Sequence, residues 1–138
     1  MNKEAPKIFL VDDDYSFRKA VSALLKANGY RVAESSGRLD VLKNIIRENP
    51  DLILLDLRMT EIDGEEIIKT MRIKNIAIPV IIISGSLNPN YRRLLTERGV
   101  CGFLRKPAEK NMLLTKIKET LSSASSSKKR FTESQNLY

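Results

Sequence analysis

Histidine is absent from this chain, and cysteine occurs once. The first absence excludes a catalytic dyad built on imidazole and a histidine-ligated zinc site. The lone thiol, Cys101, can close no internal disulfide; set in the apolar run "VCGFL", it reads as a small buried core residue. No apolar stretch approaches the roughly 20 residues that a membrane-spanning helix needs; the longest lies around "IAIPVIII", residues 76–83. The opening "MNKEAPK" has no apolar core of the kind a secretory signal carries. A cytoplasmic protein with no membrane partner is the default expectation. Long basic blocks are also missing. The net charge is +7, yet no run of cations exceeds "KKR" and no basic helix is interleaved with aromatics, so direct nucleic-acid binding is not expected.

What is present is an alternation of short apolar runs with longer segments of helical period. "KIFLV" (7–11), "YRVAE" (30–34), "LILL" (52–55), "VIII" (80–83) and "CGFL" (101–104) read as five strands. Between them lie helical patterns over Tyr15–Asn28, within 37–50, over Glu65–Lys74 and over Asn90–Arg98, with a last one over Glu109–Leu121. Phe17, Ala20, Val21, Leu24 and Leu25 mark the inward face of the first, Leu42, Ile45 and Ile46 that of the second, and Ile67, Ile68 and Met71 that of the third. Gly29, Asn49-Pro50 and Gly99 supply the stops. Strands that are apolar without alternation imply a parallel sheet covered on both faces. Right-handed crossovers then give a three-layer, doubly wound α/β fold of five strands and five helices. One domain is expected over residues 1–121. The remainder, "SSASSSKKRFTESQNLY" (122–138), is Ser-rich and basic and reads as a flexible tail or linker.

In such sheets the chemistry lies beyond the carboxyl ends of the strands. There the chain places Asp12 and Asp13 after strand one, Asp56 after strand three, Ser84 after strand four and Lys106 just past strand five. Three carboxylates on one rim make a hard, oxygen-rich site suited to Mg²⁺. Without the dication at least one of them should titrate upward. Asp56 is a plausible nucleophile toward phosphorus, because carboxylates form acyl phosphates. Lys106 would stabilise charge on the transferring oxygens, and Ser84 could donate a hydrogen bond to one of them. Asp14, the third acid of "DDDYS", reads as a helix N-cap. Asp63-Gly64 reads as a loop ending at a helix start.

Over about residues 6–121 the chain resembles the receiver domain of bacterial two-component response regulators. The resemblance rests on "IFLVDDD", on "DLILLDLRM…DG" around Asp56, on the hydroxyl residue after "VIII" and on "KP" at 106–107. It implies a flavodoxin-like strand order 2-1-3-4-5, with Asp56 as phosphoacceptor and Mg²⁺ as cofactor. Asp13 would ligate the ion directly, Asp12 chiefly through water, and the backbone carbonyl of Arg58 would complete the protein ligands. Ser84 matches the switch hydroxyl, Phe103 the switch aromatic and Lys106 the phosphate-pairing lysine. The donor would be a sensor histidine kinase, a phosphotransfer protein or acetyl phosphate. Output would pass through the face of helix four, strand five and helix five to a partner, an output domain or a second copy. The chain would assist its own phosphorylation and dephosphorylation without being an enzyme in the ordinary sense.

Departures from the family pattern also stand out. Thr60 follows Met59 where proline is usual, and Gly85 replaces a small alanine beside the switch hydroxyl. Arg58 and Ser86 occupy the positions that tune phosphoryl lifetime. The main alternative is a haloacid dehalogenase-like aspartyl phosphatase, which wants a second acid where Arg58 stands. A flavin-binding reading fails because "DDDYS" would repel phosphate. A scaffold independent of phosphorylation leaves the convergent rim residues unexplained.

Overall fold

The computed structural model describes residues 4–37, 40–57, 64–85 and 87–135, with side chains as far as residue 124. Arg58, Met59, Thr60, Asp63 and Ser86, singled out above, lie outside the described residues. Along the chain run β1 (Lys7–Val11), α1 (Tyr15–Ala27), β2 (Arg31–Ser35), α2 (Val41–Glu48) and β3 (Leu52–Leu55). They are followed by α3 (Gly64–Ile73), β4 (Val80–Ser84), α4 (Pro89–Glu97), β5 (Val100–Arg105) and α5 (Lys110–Gln135). The strands pair in parallel in the order β2-β1-β3-β4-β5.

Apart from Lys7 at the start of β1 and Ser84 at the end of β4, the three central strands are apolar at every position because both faces of the sheet are covered. Phe9, Val11, Ile53, Leu55, Val80 and Ile82 face one layer, where they meet Val41 and Ile45 of α2, Ile67, Ile68 and Met71 of α3 and Leu95 of α4. Their neighbours Ile8, Leu10, Leu52, Leu54, Ile81 and Ile83 face the other, against Val21 and Leu25 of α1 and Leu113 and Ile117 of α5. The period of two along each strand therefore divides the interior into two separate cores. Fully burying each such Leu or Ile contributes about 1.5–3 kcal/mol, which sets the sheet as the stable frame of the molecule.

Caps fix where the helices begin and end. The Asp14 carboxylate accepts from Phe17 N at 3.1 Å, as its N-cap reading predicts, and Asn88 accepts from Tyr91 N at 2.8 Å ahead of Pro89. Gly29 and Gly99 follow α1 and α4 at φ +89° and +88°, where a side chain would be strained.

Several expectations need correction. Cys101 is exposed, not core: β5 is an edge strand whose positions alternate between buried and exposed, and Cys101 falls on the outward phase. Ala20 is exposed because the buried arc of α1 centres on Val21 and Leu25 and takes in Ser22 instead. Ile46 is exposed beside the inward-facing Ile45. Finally, α5 runs past the expected helix end at Leu121, to Gln135. No Gly or Pro lies between Lys110 and Gln135 to stop it. Among the described residues, no helix is long and apolar enough to cross a membrane.

Candidate functional site

Three of the rim residues are held by one more backbone hydrogen bond past the end of their strands. Asp12 N donates to Ser35 O at 3.0 Å, Asp56 N to Val11 O at 3.0 Å and Lys106 N to Ser84 O at 2.9 Å. The side chains thus leave from a stiff edge of the sheet and not from free loops. Asp12, Asp56 and Ser84 are buried, and Asp13 is exposed. One carboxylate oxygen from each of Asp12, Asp13 and Asp56 falls within a span of 4.8 Å. Sequence positions more than 40 residues apart have become a single acidic cluster.

Lys106 closes it. Its Nζ lies 2.6 Å from Asp12 Oδ2 and donates to Asp56 Oδ2 at 3.0 Å. The contact with Asp12 is an ion pair without a directed hydrogen bond, and Oδ2 of Asp12 is otherwise enclosed. Asp12 Oδ1 accepts from Asp14 N at 2.9 Å, so the first turn of α1 orients this carboxylate. The peptide bond between Lys106 and Pro107 is cis.

Burial raises the Asp12 carboxyl above the usual aspartate range; the Lys106 ammonium and the Asp14 N–H oppose that rise, and the Asp56 charge adds to it. The direction is the one expected of crowded carboxylates, but burial is its main cause and the Asp56 charge a lesser one. Burial also pushes Lys106 downward, but its contacts with Asp12 and Asp56 outweigh burial and hold the ammonium above its ordinary value. The pair therefore keeps a fixed positive charge facing the acids at neutral pH.

Three contributors were not recognisable as site residues in the sequence. Phe17, read there only as part of the apolar stripe of α1, places its ring centroid 4.4 Å from Lys106 Nζ, a cation–π contact that steers the ammonium. Arg18 Nη1 donates to the Asp12 carbonyl at 2.8 Å. Gly64 brings the start of α3 against the strand end: a Cβ there would lie 2.8 Å from Leu57 Cα and 2.9 Å from the Asp56 carbonyl oxygen. The Asp-Gly pair was the one visible signal for it. Phe103, half-buried on β5, packs against the α2–α3–α4 core, with the Arg92 guanidinium 5.0 Å from its ring centroid.

The fold agrees with comparison to known proteins. A family model described as the response regulator receiver domain matches residues 8–118. The chain belongs to that family. This receiver domain is 34% identical over 121 residues to the transcriptional regulatory protein ZraR of Klebsiella oxytoca, covering 88% of the chain and 27% of the relative. It is 30% identical over 115 residues to sporulation initiation phosphotransferase F of Bacillus subtilis, covering 83% of the chain and 93% of the relative. Among solved structures it resembles the signal receiver domain of a LuxO-type repressor protein from Vibrio parahaemolyticus. There the TM-score is 0.85 at 26% identity, over 90% of the chain and 95% of that structure. The chain spans only 17% to 27% of several larger relatives. The receiver fold, with order 2-1-3-4-5, is the one expected; nothing in these comparisons supports the haloacid dehalogenase-like alternative.

Proposed function

We propose that this receiver domain accepts a phosphoryl group on Asp56 from a sensor histidine kinase, a phosphotransfer protein or acetyl phosphate. The observation that carries the reading is the Lys106 ammonium, set 3.0 Å from Asp56 and 2.6 Å from Asp12 by the ends of three different strands. An Asp56 oxygen forms the new O–P bond while the donor's bond to phosphorus breaks and its electron pair leaves with the donor. Lys106 can then donate its N–H groups to the phosphoryl oxygens, a charge-assisted contact that strengthens as negative charge arrives. Phe17 and the Lys106–Ser84 backbone bond hold that amine in place.

The donor set fits Mg²⁺: three hard carboxylates within 4.8 Å, one of them buried with only an ammonium against its Oδ2. Asp13 would hold the ion directly, Asp12 chiefly through water, with Asp56 and the backbone carbonyl of Arg58 as the further ligands. Bound there, Mg²⁺ supplies positive charge that offsets the repulsion between the acids and an incoming phosphoryl group. Arg58 and Ser86 tune how long the phosphoryl group survives.

Ser84 and Phe103 carry the response. The Ser84 hydroxyl turns toward the new oxygens, Phe103 follows, and the face formed by α4, β5 and α5 is re-presented to a protein partner, an output domain or a second copy. Nucleic acid and membrane are not among the partners, and the setting is the cytoplasm. The chain turns over no external substrate and is not an enzyme in the ordinary sense.

Incubation with acetyl phosphate and Mg²⁺, followed by intact mass, tests the assignment. A gain of one phosphoryl group in the wild type and none in Asp56→Asn is expected; equal labelling of both refutes it.

A further inference from the structure

Arg18 holds no place in the chemistry proposed above, yet its side chain is stretched between two strand ends beside the acidic cluster. Its Nη1 donates to the Asp12 carbonyl at 2.8 Å, and its Nε lies 3.4 Å from Glu34 Oε1 of β2. Both side chains are largely shielded, at 13% and 20% exposure, and neither Nε nor Oε1 makes a hydrogen bond. The two atoms answer each other by charge. The second Glu34 oxygen accepts from Lys19 Nζ at 3.2 Å, so the carboxylate is braced from α1 at both oxygens. Asp12 N donates to Ser35 O at 3.0 Å. Strand β2 therefore restrains Asp12 directly through its nitrogen and, by way of Glu34 and Arg18, through its carbonyl.

The carbonyl that Arg18 grips belongs to the peptide unit joining Asp12 to Asp13. That unit is planar, so fixing its oxygen fixes its plane and the direction in which Asp13 leaves the strand end. We infer that Arg18, braced by Glu34, is a positioning residue that aims the Asp13 carboxylate for Mg²⁺ without touching the ion. This role rests on the proposed Mg²⁺ site and names what orients it. A pure fastening of α1 to β2 would leave the affinity for the ion unchanged. A pure charge effect has the opposite sign, because a guanidinium repels a dication and its loss would tighten binding. Positioning is the role in which removing one cation weakens the hold on another.

Binding of Mg²⁺ to the full chain, from magnesium chloride with no phosphoryl donor present, is read by isothermal titration calorimetry at fixed ionic strength. Arg18→Met keeps the apolar stem and gives up the fork; its dissociation constant should rise roughly tenfold, as when a group that orients a metal ligand is removed. Arg18→Lys keeps the charge without the planar fork and should also bind more weakly than the wild type. Glu34→Gln should weaken binding on its own and add little to Arg18→Met, because both act through one contact. Lys7→Met, which breaks the Lys7–Glu48 pair at the far end of β1, should leave the constant unchanged. Should Arg18→Met fail to fold, Arg18→Lys and Glu34→Gln carry the same test. Unchanged or tighter binding by Arg18→Met, wild-type binding by Arg18→Lys, or an equal loss in Lys7→Met overturns the inference, and so does full additivity of Arg18→Met with Glu34→Gln. Acetyl phosphate labelling of Asp56 is followed in parallel. Labelling with Mg²⁺ affinity unchanged across the Arg18 variants removes the positioning role and leaves the phosphoacceptor. Weakened affinity in those variants, with no labelling of the wild type, supports the positioning role and removes the phosphoacceptor.

Discussion

Glu65 and Arg98 close an ion pair at 2.6 Å between the first turn of α3 and the C-cap of α4. The other oxygen of the same carboxylate accepts from the Tyr91 hydroxyl at 2.7 Å, near the start of α4. One acid thus ties both ends of α4 to the helix that begins beside Asp56. The hydrogen bond from Tyr91, with help from Arg98, holds the Glu65 carboxyl below its ordinary value of 4.5.

A pH dependence follows, and its sign is fixed by that lowered value. The stabilising contribution of Glu65 is complete above the unfolded-state pKa and is lost as pH falls through the lower folded-state value. Glu65→Gln should therefore unfold at lower denaturant than the wild type at pH 7, with the gap closing below about pH 4.5. Urea midpoints across that range are the check, and a gap that widens toward acid contradicts the tie.

Lys106→Met leaves the buried Asp12 carboxylate facing Asp56 without its ammonium. A loss of about 1–3 kcal/mol of stability is expected at neutral pH, together with loss of phosphoryl transfer to Asp56. Denaturant unfolding and acetyl phosphate labelling read the two effects separately, and intact labelling would remove the lysine from the chemistry.

Mg²⁺ should stabilise the wild type in proportion to the logarithm of its concentration, by about 2.7 kcal/mol at a hundredfold excess over its dissociation constant, read as a rise in thermal midpoint. Asp13→Asn should blunt the response, because Asp13 is the exposed and most accessible oxygen donor of the three. Addition of a chelator should return the wild type to its metal-free midpoint. A response of equal size in Asp13→Asn would show that the ion binds elsewhere.

Gly64→Ala drives a methyl group toward two backbone atoms, Leu57 Cα and the Asp56 carbonyl oxygen. Neither can escape by changing rotamer. A cost of about 1–3 kcal/mol is expected, along with an altered rate of Asp56 labelling, since the displaced segment carries the acceptor. Unchanged labelling kinetics would leave Gly64 with a packing role alone.

The fold was legible because the central strands carry continuous apolar runs and the helices between them keep a clean period. That Asp12, Asp13, Asp56 and Lys106 would meet was legible because strand ends in this topology converge on one rim. Cys101 was misread because an apolar run does not reveal that its strand lies at the edge of the sheet. Phe17 and Arg18 escaped because an aromatic on an apolar helix face and a cation in a first turn look ordinary until Lys106 and the Asp12 carbonyl arrive beside them from distant parts of the chain. The end of α5 was misjudged for another reason. Serine richness suggests a tail, but serine costs a helix only a fraction of a kcal/mol per residue relative to alanine, and no stop residue intervenes.

The two interior cores have a mechanical consequence at the sheet edge. Leu95 roots α4 in one core while Leu113 and Ile117 root α5 in the other, with β5 as the seam. The two helices that flank the edge strand are therefore anchored in different layers. A small shift of one helix over its face of the sheet leaves the other interior closed.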